Sequence, residues 1–550
     1  MRRAYVAHLP EGSLFMTDTP KRPPAKRSSG EGSSGENNSA NKPPKNSFQR
    51  GSSSKKPFDK TRTPSGKRAG GAHQANATGF KSRPRPGYQG GAKEKGAPDF
   101  NDRDAEQAAR RLGAPTLTRL YAARAVQLVL RDKITLEAAF ELQKGYNDLE
   151  GRDRAFARLI AATTFRRWGQ IGAVLKPMLK SKPPVFVMAV LETAVAQMLF
   201  LETGPHAAVS EAVNVLKASH STRGFAGLCN AVLRRAAEEG KALAGATAPS
   251  ANFPRWLTNS WEKAYSRVDV RKMSLQLIKD PPLDLSVKSD PEGWAEKLGG
   301  KVLPTGTVRL VKIGDVTALE GFNDGEWWAQ DVAASLPVKA LAENFDVKGK
   351  RVLDMCAAPG GKTLQLAAMG AQVTALDISQ ARLGRLHENL TRTKLSAEVV
   401  VGDGRKWQRA KNEAGETAAQ FDAVLLDAPC SATGTYRRHP DVLFNKAHTD
   451  IGKLASLQDK LLLAASHHVA PGGQLIFCTC SLQPDEGAAR IKQFLKNRTD
   501  FRLNPFLKES GLQDLQVVTP EGFVRSLPHY LGTEGGMDGF FIAQMTRNGA

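Results

Sequence analysis

Cysteine is scarce: the 550-residue chain has five (Cys229, Cys356, Cys430, Cys478 and Cys480), and no two are spaced as CxxC. That excludes a disulfide framework and the commonest signature of a zinc site, and it leaves the thiols free for chemistry. No metal is expected. Long apolar runs are missing too. The nearest, from Val185 to Leu201, is broken by Glu192 and Gln197, and the N-terminus has no apolar segment of the kind a signal peptide needs. A cytoplasmic protein without a membrane span is therefore expected. Acidic residues are sparse in one stretch, residues 1–100, which carry 20 Lys and Arg against 7 Asp and Glu, so that +13 of the net +23 sits there. Such a surplus favours polyanions, because neutralising phosphates releases counterions, and nucleic acid and an acidic membrane surface are both candidates.

What is present divides the chain into four parts. From about Pro20 to Ala97 the residues are Ser, Gly, Pro, Lys, Arg and Asn with few aliphatics. Such a composition cannot bury enough surface to offset chain entropy, so disorder is expected over 1–110. This tail reads equally as a basic RNA-binding arm or a solubilising segment, and Met16 is a second candidate start. Residues 113–245 are helical in pattern: Val209, Ala212, Val213 and Leu216 share one face, as do Phe225, Leu228, Cys229, Val232 and Ala236. Cys229 on that face reads as a buried structural cysteine. Residues 250–330 mix an amphipathic helix near Phe253–Tyr265 with strand-like runs LDLSVK and TVRLVK, a small α+β subdomain. Residues 331–548 alternate helical stretches with RVLDMC (351–356), QVTALDI (372–378), AEVVVGD (397–403), DAVLLDA (422–428) and GQLIFCTC (473–480). That βαβ alternation predicts a parallel, doubly wound sheet with ligands at the carboxyl ends of its strands.

Each of these strands ends in something informative: CAAPGGKT, Asp377, Asp403, DAPCSATG and TCSLQPDEG. A loop of small residues with paired glycines lets backbone approach a nucleotide-like ligand, and Asp377, 16 residues after Gly361, can bond ribose hydroxyls. GKT is not a phosphate loop, since the glycine required at position 356 is Cys356, and no GxGxxG marks a dinucleotide site. Acidic residues at three strand ends suit a ligand with ribose hydroxyls and positive charge, and S-adenosylmethionine fits. A cysteine beside a methyl donor suggests one reaction in particular. Carbon 5 of cytosine takes a methyl group only after a thiolate adds to carbon 6, and a base must later remove the carbon 5 proton so that the cysteine can leave. Cys430 and Cys480 both lie at this sheet edge, and spacing does not rank them.

VLDMCAAPGGKT, DAPCSATGTYRRHPD and TCSLQPDEG resemble the motif set of the Sun/NOL1/NOP2 family. GRDRAFARLIAATTFRRWG, ETGPHAAVSEAVNVLK and the run ending in NAVLRR resemble the NusB-like RNA-binding domain. Together, over residues 115–545, they resemble the bacterial 16S ribosomal RNA cytosine 5-methyltransferases of that family. The resemblance implies a class I, Rossmann-like methyltransferase domain behind an all-α NusB-like bundle, with small-subunit ribosomal RNA as partner and S-adenosylmethionine as cofactor. It implies Cys480 as nucleophile and Cys430 as assisting product release. It further implies that Cys356, Ala357, Ala358, Pro359, Gly360, Gly361 and Lys362, with Asp377 and Asp403, hold the cofactor. Asp427 would lie between cofactor and target base, and Arg152, Arg154 and Arg234 are RNA-contact candidates. A monomer is expected.

Other residues carry alternatives. Arg437, Arg438 and His439 read as an RNA grip or a basic surface turn, and Trp327–Trp328 as a base-stacking pair or core. Cys478 reads as packing. The long basic tail departs from the family pattern. A transfer-RNA methyltransferase and a non-catalytic assembly factor are the competing functions.

Overall fold

The computed structural model describes residues 100–311, 314–409, 420–507 and 512–549. The expectation of disorder for residues 1–99 lies outside them. Among the described residues no helix is long and apolar enough to cross a membrane.

The first part is a helical bundle: α1 (Asp102–Ala109), α2 (Ala114–Asp132), α3 (Leu136–Glu141), α4 (Gly151–Arg166), α5 (Trp168–Leu175), α6 (Val185–Phe200), α7 (Pro205–Lys217) and α8 (Ala226–Ala246). Helix α1 corrects the assignment of residues 1–110 to a disordered tail. Asn101 caps it by accepting the amides of Arg103 and Asp104, while Asp104 returns the bond to the Asn101 amide. Phe100 stacks on Phe186 with centroids 3.8 Å apart, fixing the helix to the bundle. The apolar face read on α7 is inward, but on α8 Leu228 is 40% exposed although Cys229 beside it is fully buried. Helix α8 packs on α5, α6 and α7, and Leu228 lies outside the arc that they cover.

Next come α9 (Arg255–Ala264) and α10 (Arg267–Leu277), then a small antiparallel sheet of β1 (Leu283–Val287), β2 (Lys301–Val302), β3 (Val308–Leu310) and β4 (Trp327–Ala329), in the order β2-β3-β1-β4, with α11 (Pro291–Leu298) against it. Trp327 and Trp328 are core residues here, 0% and 3% exposed, not a platform for a base. The amphipathic α9 does not pack on this sheet. Its Leu257 and Trp261 join Tyr436, Leu443 and Leu482 of the last domain.

That domain holds α12 (Val332–Asn344), β5 (Arg351–Met355), α13 (Gly361–Ala368), β6 (Gln372–Asp377), α14 (Gln380–Thr393), β7 (Glu398–Val401), β8 (Phe421–Asp427), α15 (Val442–Asn445), α16 (His448–His467), β9 (Val469–Thr479), α17 (Ala488–Asn497), β10 (Phe501–Leu503), β11 (Val524–Ser526) and β12 (Phe540–Arg547). The sheet order is β10-β12-β9-β8-β5-β6-β7, with β11 on β12. Strands β5 to β9 are parallel and β12 runs antiparallel to β9. Side chains alternate between two cores as a period of two requires. Leu425, Ile476 and Cys478 face one layer of helices, and Val424, Leu426 and Phe477 the other. The chain leaves β5 towards β6 on one side and returns to β8 on the other. The order therefore reverses between β5 and β8, and a crevice opens there at the strands' carboxyl ends.

Candidate active site

The loops after β5, β6, β8 and β9 meet at this crevice. After β5, Cys356 takes a left-handed conformation with φ 62°, and the loop ends on Gly360 at φ 111°, where a Cβ would come within 2.4 Å of Leu386. Only glycine fits that turn into α13. Asp377 anchors the loop: its Oδ2 accepts the Ala358 amide at 3.1 Å and its Oδ1 the Ser379 amide at 2.9 Å. Each oxygen keeps a lone pair for another donor. Asp403 accepts from the Arg405 guanidinium at 2.9 Å, and this bond holds its pKa down to about 2.

Cys356, Asp377 and Asp403 line a cavity of about 180 Å³ with Leu376, Ile378, Leu457 and Pro429. The apolar walls make a slot for a base, and the two carboxylates, paired there with Arg382 at 3.7 Å and Arg405 at 2.5 Å, are acceptors for its hydroxyls. Ala357 to Lys362 do not line this cavity. Lys362 instead turns to Asp427, with Nζ 2.8 Å from Oδ2. Burial works against that ammonium, but Asp427, Cys478 and Asp354 reverse the effect and raise its pKa above the ordinary lysine value. The other oxygen of Asp427 accepts from the Cys478 thiol at 3.5 Å. Cys478 is fully buried, as read from the sequence, and burial and Asp427 push its thiol well up.

The two remaining cysteines are brought together by strand register. Asp427 pairs with Cys478, the Ala428 amide donates to the Cys478 carbonyl at 2.9 Å, and the chain then bends at Pro429. This places the sulfurs of Cys430 and Cys480 3.4 Å apart, both half-buried. Gly434 lets the Cys430 loop close on β9, donating to the Cys480 carbonyl at 3.0 Å where a Cβ would meet the Gly539 carbonyl at 2.0 Å. The Cys430 thiol is pushed well above its usual value by the hydrogen bond with Cys480, by burial, and by the negative charges of Cys480 and Glu486. Either sulfur can donate to the other.

In the basic run after this loop the two arginines are ion-paired within the fold, which corrects the reading of them as a surface turn. Arg437 is fully buried, bonded to Asp331 at 3.1 Å, Asp538 at 3.2 Å and the Gly535 carbonyl at 2.7 Å. Arg438 lies 2.6 Å from Asp331, and only His439 is exposed. In the bundle, Arg154 closes the turn before α4 by donating to the carbonyls of Asn147 and Leu149 at 2.9 and 2.7 Å. Arg152 and Arg234 are exposed, and Arg234 lines a groove of about 470 Å³ between α7 and α8 with Lys217, Asn214 and His206.

Two site residues carry no sequence signal that had been used. Asp354, on β5, is buried under the loop and accepts from Thr363 at 2.6 Å, and burial raises its pKa to about 7. Glu486, in the motif TCSLQPDEG, lies behind both cysteines. A carboxylate six residues past Cys480 was the available clue.

A profile of the family described as "16S rRNA methyltransferase RsmB/F" matches residues 344–546, and one described as "NusB family" matches residues 116–238. Ribosomal RNA small subunit methyltransferase B of Pasteurella multocida (strain Pm70) is 36% identical over 385 residues, covering 67% of this chain and 82% of that protein. The protein of the same name from Shigella sonnei (strain Ss046) is 34% identical over 454 residues, covering 78% and 98%. Among solved structures, PH0851 superposes with a TM-score of 0.61 at 23% identity, covering 78% of this chain and 98% of that one, a likeness of fold.

Proposed function

Since the chain belongs to the 16S rRNA methyltransferase RsmB/F family and is a methyltransferase, we propose that it methylates carbon 5 of a cytosine in small-subunit ribosomal RNA through a covalent cysteine–cytosine intermediate. The observation that carries this reading is the pair of sulfurs, Cys430 and Cys480, 3.4 Å apart at the ends of β8 and β9 beside a nucleoside-sized crevice. S-adenosylmethionine, when bound, supplies an electrophilic methyl group on a sulfonium. Asp377 and Asp403 are the residues to hold its adenosyl end.

The chain's own residues do the rest. The Cys480 thiolate adds to carbon 6 of an unstacked cytosine, which makes carbon 5 nucleophilic. Asp427, fixed by Lys362, accepts from the exocyclic amine and orients the ring. After methyl transfer the carbon 5 proton leaves to a base, the Cys480–carbon 6 bond breaks, and Cys430 assists this release. The exposed Arg152 and Arg234 contribute RNA affinity through phosphate contacts.

Ribosomal rather than transfer RNA is supported by the names of both relatives and by the NusB match. Cys480→Ala is the test. Methyl transfer to unmodified 16S ribosomal RNA is expected to vanish, and transfer near the wild-type rate would sink the assignment. Bisulfite mapping of ribosomal and transfer RNA from a deletion strain locates the target. Loss of a transfer-RNA site alone would favour the other substrate class.

A further inference from the structure

Glu486 is fully buried and has no salt bridge among the described residues. Its side chain is held by donors alone. Oε1 accepts the Ser431 amide at 2.9 Å and the Gln458 side-chain amide at 3.1 Å. Oε2 accepts the hydroxyls of Ser431 and of Ser481, the latter at 2.6 Å. Its backbone carbonyl accepts the Thr479 hydroxyl at 2.8 Å. Gln458 reaches further, donating to the Pro429 carbonyl at 3.0 Å.

These partners are not arbitrary. Pro429 and Ser431 are the two neighbours of Cys430, and Thr479 and Ser481 the two neighbours of Cys480. Both flanks of both cysteines are thus tied to one residue, directly or through Gln458, while the sulfurs face each other on the open side at 3.4 Å. Four donor groups close round the one carboxyl, so the segments that carry Cys430 and Cys480 are fixed to each other through it. The Cys430 thiol is pushed well up by its hydrogen bond with Cys480, by burial, and by the charges of Cys480 and Glu486.

We infer that Glu486 is a positioning residue for methyl transfer, setting the separation of the two sulfurs and keeping the proton of the pair on Cys430, so that Cys480 is the sulfur that attacks. The inference rests on the thiol mechanism proposed above. Glu486 is fully buried and does not line the cavity beside Asp377 and Asp403, so its effect falls on turnover and not on binding.

The test compares Glu486→Ala, Glu486→Gln and Glu486→Asp with Cys480→Ala in the full chain. Gln keeps the shape but turns an amide donor against the existing donors, and Asp keeps the charge at shorter reach. Each variant is checked by thermal melting and by its stoichiometry for S-adenosylmethionine, whose cavity Glu486 does not line. The expected result is a kcat on unmodified 16S ribosomal RNA lower by about 100-fold in Ala and Gln and about tenfold in Asp, with KM for RNA within about threefold. The pH midpoint for alkylation of Cys430 by iodoacetamide, read by mass spectrometry, is expected to fall in Gln. If Ala does not fold, Gln and Asp decide. A kcat within about threefold of wild type, a loss matched by lost cofactor sites, or an unmoved Cys430 midpoint overturns the inference. A fully active Cys480→Ala means that the thiol mechanism itself has failed, whereas an inactive Cys480→Ala beside an active Glu486→Ala overturns only the role of Glu486.

Discussion

The hydroxyl of Tyr436 donates to the carbonyl of Phe165 at 2.8 Å, joining the segment just past Cys430 to the last turn of α4 in the helical bundle. The contact is one of several. Arg166 donates to the Arg437 carbonyl at 2.9 and 2.7 Å, the Leu136 amide to Asp441 at 3.1 Å, and Asn445 to the Ile134 carbonyl at 2.8 Å. The loop that carries Cys430 therefore continues into a segment docked on the bundle. The bundle is consequently held at a fixed place relative to the cysteine pair.

Tyr436→Phe removes that hydroxyl and leaves a buried carbonyl without its donor. The cost is expected to be about 1–2 kcal/mol, read from the shift of a urea unfolding curve. Because the bond crosses between the bundle and the catalytic domain, tryptophan fluorescence and helical circular dichroism should shift together. A shift in one signal alone would show that the two parts unfold separately.

Arg437→Met tests whether the basic run is structural. It leaves Asp331 and Asp538 to Arg438 alone, and breaking a buried ion pair from one side costs about 3–5 kcal/mol. An RNA-gripping arginine would instead show unchanged stability and weaker RNA binding. The same cluster sets an acid limit. Burial would raise the pKa of Asp331, but Arg438 and Arg437 outweigh it and hold it at about 2, below the ordinary value of about 3.8. A lowered folded-state pKa gives stability that is complete above the unfolded value and is lost as pH falls through the folded one. Stability measured by urea unfolding should therefore fall between pH 4 and pH 2, and less steeply in Asp331→Asn.

The strands of the catalytic sheet were legible because parallel strands buried on both faces read as continuous apolar runs, and β5, β6 and β8 fall within a residue of RVLDMC, QVTALDI and DAVLLDA. The ends of those strands were legible too, since small residues, acids and cysteines there have few other uses. Arg437 was not, because its partners Asp331 and Asp538 lie 106 and 101 residues away, and a charged residue reveals nothing in sequence about a buried counter-charge so distant. Lys362, expected on the cofactor loop, stands in the first turn of α13. The bond from Ala358 to Asp377 turns that loop so that the ammonium meets Asp427 instead of lining the cavity. Helix α1 was hidden by its neighbours in composition, and only its Asn101 cap and the Phe100 anchor distinguish it from the tail.

Glu192, in the middle of α6, is 5% exposed, and one of its oxygens has no hydrogen-bond partner. Burial raises its pKa from about 4.5 to about 8, a rise that Lys182 opposes. A raised folded-state pKa contributes stability that is complete below the unfolded value and is lost as pH rises through the folded one. Unfolding free energy should thus decline from pH 4.5 to pH 8. Glu192→Gln is expected to flatten that decline and to add on the order of 2 kcal/mol at pH 8, by urea unfolding across pH. An unchanged slope in the variant would place the pH dependence elsewhere.

Cys430→Ala separates the roles of the two sulfurs. In the proposed mechanism, addition to carbon 6 needs only the Cys480 thiolate, whereas release needs help from the neighbouring sulfur 3.4 Å away. The variant is therefore expected to form the bond to RNA, accept the methyl group and then stall. A covalent RNA–protein species should persist on a denaturing gel with unmodified 16S ribosomal RNA and S-adenosylmethionine, while multiple turnover drops by at least about tenfold. Cys480→Ala should give no such species, and neither should the double variant, since the attacking sulfur is gone from both. The order of the two cysteines is what this comparison decides. If the adduct appears with Cys480→Ala and not with Cys430→Ala, the attacking sulfur is Cys430, and the proton that Glu486 is inferred to keep on Cys430 must then lie on Cys480.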